Sequence, residues 1–135
     1  MKEMKIFTDG GARGNPGPAA IGVVFFDENG KEIYSHKECI GEATNNVAEY
    51  KAVICAIETA KDRFKPELID LNLDSELVCR QLNGEYKVKD QNLKELFYAV
   101  RELVLDLGGK VTFKHVRREQ NKRADELVNE ALDGA

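Results

Sequence analysis

The sequence predicts an α/β domain built on a five-stranded mixed sheet flanked by helices. Segments that alternate apolar and polar residues, or that are continuously apolar over strand length, are interleaved with segments whose apolar residues recur every three to four positions. The first three strand-like segments are joined by short turns, which favours antiparallel pairing. The last two strands each follow a helix, which favours a parallel, right-handed crossover. We therefore expect strands 1 to 3 to be antiparallel and strands 4 and 5 to run parallel to strand 1.

The first half of the chain contains three of these strands. KIFT (5–8) is a short apolar strand that ends at Asp9, and the apolar run AAIGVVFF (19–26) is typical of a strand buried on both faces. Asp27-Glu28-Asn29-Gly30 carries the Asn-Gly dipeptide of hairpin turns, so the segment 31–40 is predicted to return as the third strand.

The second half of the chain alternates helices and strands. The first helix begins near Thr44, and its apolar residues Val47, Tyr50, Ile54 and Ile57 recur at helical spacing. Pro66 separates this helix from the fourth strand. The remaining predicted elements are strand 68–73, helix 75–83, helix 92–107, strand 110–116 and helix 121–132.

Length and composition indicate one soluble domain spanning residues 1–135. The chain is 42% hydrophobic and 33% charged, no apolar stretch approaches the roughly 18 residues of a membrane span, and MKEMKIF carries no secretory signal. Cys39, Cys55 and Cys79 form no CxxC pair, so we expect them to be small core residues in a reducing compartment. These features predict a cytoplasmic monomer without a membrane partner.

Four acidic residues lie at the ends of predicted elements or on the polar side of a helix: Asp9, Glu49, Asp74 and Asp125. Carboxylates from separate elements are the ligands that Mg²⁺ prefers, together with water. Two such ions a few ångströms apart are the usual equipment for phosphodiester chemistry. The four residues are therefore candidate metal ligands.

Each candidate also has an ordinary structural explanation. Asp9 could simply precede a glycine-rich turn, and Thr44-Asn45-Asn46 forms a good helix N-terminus. Glu49 could interact favourably with the dipole of that helix. Asp74 could be the N-cap of the next helix, and Asp125 could be a solvated surface residue. Only the coincidence of all four favours a metal site.

The net charge of −4 does not exclude nucleic acid as a partner. The chain has 20 basic and 24 acidic residues, so setting aside the four candidate ligands leaves 20 of each. Basic residues also cluster in the segment 110–123 just ahead of Asp125, where they could contact phosphates or form a solvated face.

Four segments resemble the signature segments of type 1 ribonuclease H, in the same order and with compatible spacing. They are FTDGGARGNPGP, TNNVAEY, the LDS around Asp74, and HVRREQNKRADELVN. The resemblance covers essentially the whole chain. It is to the compact form of the family, which lacks the basic protrusion. It implies an endonuclease that cleaves the RNA strand of RNA–DNA hybrids with Mg²⁺ or Mn²⁺, leaving 5′-phosphate and 3′-hydroxyl ends.

The resemblance also implies roles for individual residues. Asp9, Glu49, Asp74 and Asp125 match the family's metal-binding carboxylates, with Asp9 shared by two ions. The residues that match its substrate contacts are Gly10, Gly11 and Asn15 in the first segment and Thr44, Asn45 and Asn46 in the second.

Three features depart from the family's pattern. A histidine often assists turnover in the loop before the last Asp; here His115 has the matching separation, whereas Arg118 lies in the loop itself, so either residue is a candidate. NGEYKVKDQN replaces a longer basic segment and holds only Lys87 and Lys89. Glu76 adds a negative charge where relatives often have a neutral residue.

Two alternative functions remain open from the sequence. The shortened basic segment is compatible with additional cleavage of double-stranded RNA by the same chemistry. An inactive hybrid-binding module would keep the fold without turnover, although clustered carboxylates would then have no use.

Overall fold

The computed structural model describes all 135 residues, and its five strands form one sheet in the order β3-β2-β1-β4-β5. The strands are β1 (Glu3–Ala12), β2 (Gly17–Phe26), β3 (Glu32–Ala43), β4 (Leu68–Leu73) and β5 (Val111–His115). β1, β2 and β3 form an antiparallel meander, β4 runs parallel to β1, and β5 runs parallel to β4. The predicted fold class and strand directions are confirmed.

Four α-helices cover the two faces of this sheet. They are α1 (Asn45–Thr59), α2 (Glu76–Leu82), α3 (Gln91–Asp106) and α4 (Lys122–Asp133). After α1 the chain continues as a π-helical turn, Ala60–Phe64, which ends at Lys65 in the left-handed conformation. The following Pro66 cannot continue a helix, so the chain leaves for β4.

The core lies on both sides of the sheet because successive strand residues point to opposite faces. Ile6 and Val23 contribute to a cluster of 17 buried residues beneath α1 and α3. Val24 instead packs with Ala124 and Leu127 of α4. The apolar run of β2 is therefore buried on both faces, as its composition predicts.

β1 is longer than the sequence pattern predicts, and this changes the role of its glycines. The strand does not stop at Asp9 but continues through Gly10 and Gly11, paired with β2 as far as Ala12 opposite Ala19. A partner strand supplies hydrogen bonds that offset the low strand preference of glycine, which a local pattern does not register. The predicted turn directly after Asp9 is wrong; the turn follows Ala12, and Gly14 takes a positive φ of 99° there.

The prediction that all three cysteines are core residues is also wrong for one of them. Cys79 is buried and Cys55 is half-buried, but Cys39 is exposed on the edge strand β3. None of the helices combines the length and apolar character that a membrane span requires.

Candidate functional site

The parallel pairing of β1 and β4 brings two of the four acidic residues together. Thr8 and Leu73 form the last pair between these strands, and the next residues along each chain are Asp9 and Asp74. Because parallel strands end at the same edge of the sheet, the two carboxylates emerge side by side where the strands separate. Asp9 is 8% exposed, so its carboxyl group lies at the floor of a depression rather than on the surface.

Glu49 reaches the same place from α1 because Gly10 lets the helix approach β1 closely. A Cβ on Gly10 would collide with the backbone of Ala48 and Glu49. The backbone N–H of Gly10 instead donates a hydrogen bond to Oε1 of Glu49. The helix start is fixed by Thr44, whose hydroxyl accepts from the backbone N–H of Val47 at 3.2 Å. Glu49 is consequently 6% exposed and held beside Asp9.

Asp125 is carried to the site by α4, which lies against β2 at Gly22. A Cβ on Gly22 would collide with the backbone O of Ala124 and come within 2.8 Å of Cβ of Leu127. Gly22 lies opposite Asp9 in the β1–β2 pair, so α4 passes directly beside the residue that the other carboxylates surround. Asp125 itself is exposed.

The resulting cleft has a volume of about 350 Å³, and all four acidic residues line it. One carboxylate oxygen from each of Asp9, Glu49 and Asp74 lies within 4.8 Å of the others. No lysine or arginine forms an ion pair with any of the four. Several uncompensated oxygen donors from separate elements fit a hard divalent cation.

Burial and mutual repulsion make it unfavourable to ionise Asp9 and Glu49 together without a cation. Burial raises the pKa of Asp9 to about 7, opposed by its hydrogen bond with Glu49 and reinforced by the charges of Asp74 and Asp125. Burial, and then the neighbouring charge of Asp9, also raises the pKa of Glu49 well above its ordinary value. A bound divalent cation would reverse both effects.

Asp74 is not the N-cap of α2, contrary to the structural alternative for this residue. Ser75 is the N-cap, and its Oγ accepts a hydrogen bond from the backbone N–H of Val78 at 3.2 Å. The Asp74 carboxylate is thereby left for the cleft, where its Oδ2 accepts from Nδ2 of Asn121 at 3.3 Å.

The residues matched to substrate contacts border the cleft or a neighbouring cavity. Gly10, Gly11, Asn45 and Asn46 line the cleft. Asn15, Thr44, Asn45 and Asn46 line a second cavity of about 320 Å³ beside it. Oδ1 of Asn15 accepts from the backbone N–H of Asn45 at 3.0 Å, and Oδ1 of Asn45 accepts from that of Ala12 at 2.9 Å. These bonds fasten the β1–β2 loop to the start of α1.

The two candidates for assisting turnover are placed differently. Arg118 begins a 3-10 turn (Arg118–Gln120) and lines the cleft. His115 is exposed at the end of β5, paired with Leu73, and is not among the cleft-lining residues. Glu76 also lies outside the lining and pairs with Arg80, with Oε2 and Nη2 3.8 Å apart.

Half of the basic cluster ahead of Asp125 is engaged with acidic partners. Lys114, Arg117 and Arg123 form ion pairs with Asp70, Glu119 and Glu32, respectively. Arg118 forms none and is the member of the cluster that lines the cleft.

Sequence reasoning missed several residues of the site. Arg13, Ser75 and Asn129 line the cleft without having been singled out. Gly22 had a detectable signal, because a glycine inside an apolar strand often marks the close approach of another backbone. Asn121 carried only the signal of a helix N-terminus, which does not reveal its contact with Asp74.

Comparison with known proteins places this geometry in a family. Residues 7–131 match the model of the family described as "Reverse transcriptase-like". Ribonuclease H of Clostridium botulinum is 34% identical over 151 aligned positions that cover 98% of this chain and 97% of that protein. Ribonuclease HI of Halobacterium salinarum is 44% identical over 129 positions, which cover 96% of this chain. The chain spans only 64% of the length of that relative.

Solved structures agree with the sequence comparison. The crystal structure of LC11-RNase H1 in complex with an RNA/DNA hybrid has a TM-score of 0.92 and 48% identity, covering 97% of each chain. RNase H1 from Halobacterium salinarum has a TM-score of 0.92 and 44% identity over 98% of this chain and 99% of that chain. Such similarity in both sequence and fold extends over nearly the whole chain, and we conclude that it belongs to the ribonuclease H family.

Proposed function

We propose that this protein is an endonuclease that hydrolyses the RNA strand of RNA–DNA hybrids, leaving 5′-phosphate and 3′-hydroxyl ends. The observation that carries the proposal is the convergence of Asp9, Glu49 and Asp74 within 4.8 Å in one cleft of a ribonuclease H chain. Asp125, which lines the same cleft, supplies a fourth carboxylate. An inert binding module would gain nothing from gathering these mutually repelling charges.

The four carboxylates would hold two divalent ions, Mg²⁺ or Mn²⁺, with Asp9 contributing to both. Such ions supply an activated water nucleophile and charge stabilisation for the leaving 3′-oxygen. The protein's contribution is to fix the ligands before substrate arrives: Gly10 N–H holds Glu49, and the β1–β4 pairing sets Asp9 beside Asp74.

Arg118 is the better placed of the two candidates for assisting turnover. Its guanidinium is a planar cation with several N–H donors, and it lines the cleft, where it could attract the scissile phosphate. His115 would have to act from the exposed end of β5.

The remaining contacts would select the hybrid. Asn45 and Asn46 border both cavities, so a duplex lying across them would reach the acidic cluster with one strand and the second cavity with the other. We assign Gly10, Gly11, Asn15 and Thr44 to the same contact surface. Reading 2′-hydroxyl groups on one strand while accepting deoxyribose on the other is how such a surface distinguishes a hybrid.

The test is cleavage of a uniform RNA–DNA hybrid labelled on the RNA strand. We expect products with Mg²⁺ or Mn²⁺, none in EDTA, and no cutting of single-stranded RNA or duplex DNA. Tight hybrid binding without products in either metal would refute the nuclease and support the inactive module.

The alternative that the sequence left open, additional cleavage of double-stranded RNA, is compatible with the short segment between α2 and α3 but is not favoured by the relatives, which are ribonucleases H. This segment is short, and its only basic residues, Lys87 and Lys89, are exposed. Weaker binding of the DNA strand would lower the discrimination between a hybrid and a duplex with a second RNA strand. Comparing rates on the two duplexes at equal metal concentration tests it, and a complete absence of double-stranded RNA products excludes it.

We also propose that the protein acts in the cytoplasm as a monomer. Its composition and its three unpaired cysteines are compatible with a reducing compartment. Light scattering coupled to size exclusion should give the mass of one chain, 15.1 kDa.

A further inference from the structure

Asn121 is a buried, uncharged residue that is hydrogen-bonded to two acidic residues of the cleft, Asp74 and Asp125, and to the residue before a third, Asp9. It directly precedes α4, and only 1% of its surface is exposed. Its Nδ2 donates to the backbone O of Thr8 at 2.9 Å and to Oδ2 of Asp74 at 3.3 Å. Its backbone O accepts from the N–H of Asp125 at 3.1 Å.

These bonds lie at the fork where β1 and β4 separate. Thr8 and Leu73 are the last paired residues of the two strands, and Asp9 and Asp74 follow them. The amide of Asn121 therefore ties the carboxylate of Asp74 to the β1 backbone one residue before Asp9. Through its own backbone, the same residue connects this fork to the turn of α4 that carries Asp125.

The side chain of Asn121 does not cap α4, although its position directly before the helix favours capping. Asparagine before a helix usually accepts hydrogen bonds from the first free N–H groups, yet here the side chain makes no capping bond. Its Oδ1 has no partner in the protein, so the donating half of the amide makes the contacts. Both acceptors, a carbonyl and a carboxylate, require a donor, which an aspartate at this position would lack.

We propose that Asn121 is a positioning residue that orients the Asp74 carboxylate for metal binding beside Asp9 and Glu49. The inference rests on the proposed function for its purpose, but its test is metal affinity and does not require turnover. Hydrogen-bonded partners of metal ligands fix ligand orientation, and their loss typically lowers metal affinity by about 10- to 100-fold.

The primary experiment is calorimetric titration of metal-free Asn121→Ala and wild-type protein with Mn²⁺ and Mg²⁺. We expect the dissociation constant of the variant to rise about 10-fold or more. A dissociation constant equal to that of the wild type in a folded variant overturns the proposal.

Asn72→Ala is the matched control for loss of a buried asparagine between the same two strands. Asn72 is also 1% exposed, and its Nδ2 donates to the backbone O atoms of Ile6 and Asp70 at 3.2 and 3.1 Å. Its side chain makes no hydrogen bond to a carboxylate of the cleft. We expect Asn72→Ala to lower the melting temperature while leaving the metal dissociation constant unchanged. An equal loss of metal affinity in both variants would mean that Asn121 acts only through general stability, against the proposal.

A double-mutant cycle tests whether Asn121 acts through Asp74. In an Asp74→Asn background, Asn121→Ala should weaken metal binding by less than 2-fold further, because the carboxylate that it orients is already gone. If Asn121→Ala raises the metal dissociation constant by the same factor in the Asp74→Asn background as in the wild type, the positioning role is overturned.

A measurement on the wild type keeps the proposal testable if Asn121→Ala does not fold. The side-chain ¹⁵NH₂ resonance of Asn121 should shift during Mg²⁺ titration with the same dissociation constant as calorimetry, and it should be displaced in Asp74→Asn. A resonance that moves neither on addition of Mg²⁺ nor in Asp74→Asn overturns the proposal. If the wild type binds metal but does not cleave hybrids, the proposed function fails while these titrations still decide the role of Asn121.

Discussion

Asp9 lies directly opposite Gly22 in the β1–β2 pair, and Gly22 is also where the backbone of α4 lies against the sheet. Cross-strand partners share a face of the sheet, so the absent side chain of Gly22 leaves room for α4 beside Asp9. The closeness of Asp125 to Asp9 therefore depends on a residue that carries no functional group.

Replacing Gly22 with alanine should displace α4. The new Cβ would meet the backbone O of Ala124, which cannot rotate away, so we expect overpacking to cost about 1–3 kcal/mol. Nuclease activity should fall at least 10-fold because Asp125 shifts away from the other carboxylates. Gly11→Ala is the stability control, since its Cβ would meet only Cγ1 of Val128 at 3.6 Å. Thermal denaturation of both variants tests the expected loss of stability. An unchanged melting temperature for Gly22→Ala would contradict the prediction.

Asp74→Asn should abolish hybrid cleavage with little effect on hybrid affinity. The substitution removes a negative charge from the metal cluster but almost no volume, so we expect kcat to drop by at least about 1,000-fold, or about 4 kcal/mol in the barrier. Activity and fluorescence-anisotropy binding, measured on the same preparation, separate the two effects. Near-normal turnover would show that Asp74 is not a metal ligand.

The metal-free protein should lose stability as pH rises, and Mg²⁺ should restore it. The pKa of Asp9 is raised by burial from its ordinary 3.8 to about 7 in the folded state. The stability that this shift contributes is fully present below about pH 4 and is lost as pH rises through 7. Glu49, whose pKa is also raised by burial, acts in the same direction.

We therefore expect Mg²⁺ to raise the melting temperature more at pH 8 than at pH 5.5. At 100 times its dissociation constant a ligand stabilises by about 2.7 kcal/mol, or roughly 10 °C for a domain of this size. Asp9→Asn is the control, because it removes the buried charge and should make the metal-free protein more stable at pH 8. A melting temperature unaffected by millimolar Mg²⁺ at pH 8 would argue against the metal site.

Arg118→Ala should reduce turnover more than His115→Ala. Arg118 lines the cleft and His115 does not, so we expect about a 10-fold loss of kcat for the arginine variant, or about 1.4 kcal/mol, and less than 2-fold for the histidine variant. Single-turnover rates at saturating metal distinguish the chemical step from product release. The reverse ranking would assign the assisting role to the histidine at the end of β5.

Local sequence pattern was sufficient for most of the secondary structure and for singling out the acidic residues that line the cleft. β4 was predicted at 68–73 and is observed at Leu68–Leu73, because alternating apolar residues bounded by Pro66 leave little freedom in where the strand begins and ends. The three short-turn strands and the two crossover helices likewise predict the strand directions. Asp9, Glu49 and Asp74 could be grouped because residue type and position at element ends are local properties.

Tertiary structure decided the contacts that turn these residues into one site. The extension of β1 through Gly10 and Gly11 depends on pairing with β2, and the close approach of α1 and α4 depends on absent side chains at Gly10 and Gly22. The bond from Asn121 to Asp74 joins residues 47 positions apart, across a fork that exists only when β1 and β4 are paired. A local pattern specifies which residues could bind a metal, whereas their distances follow from long-range packing, which forms only as the whole chain folds.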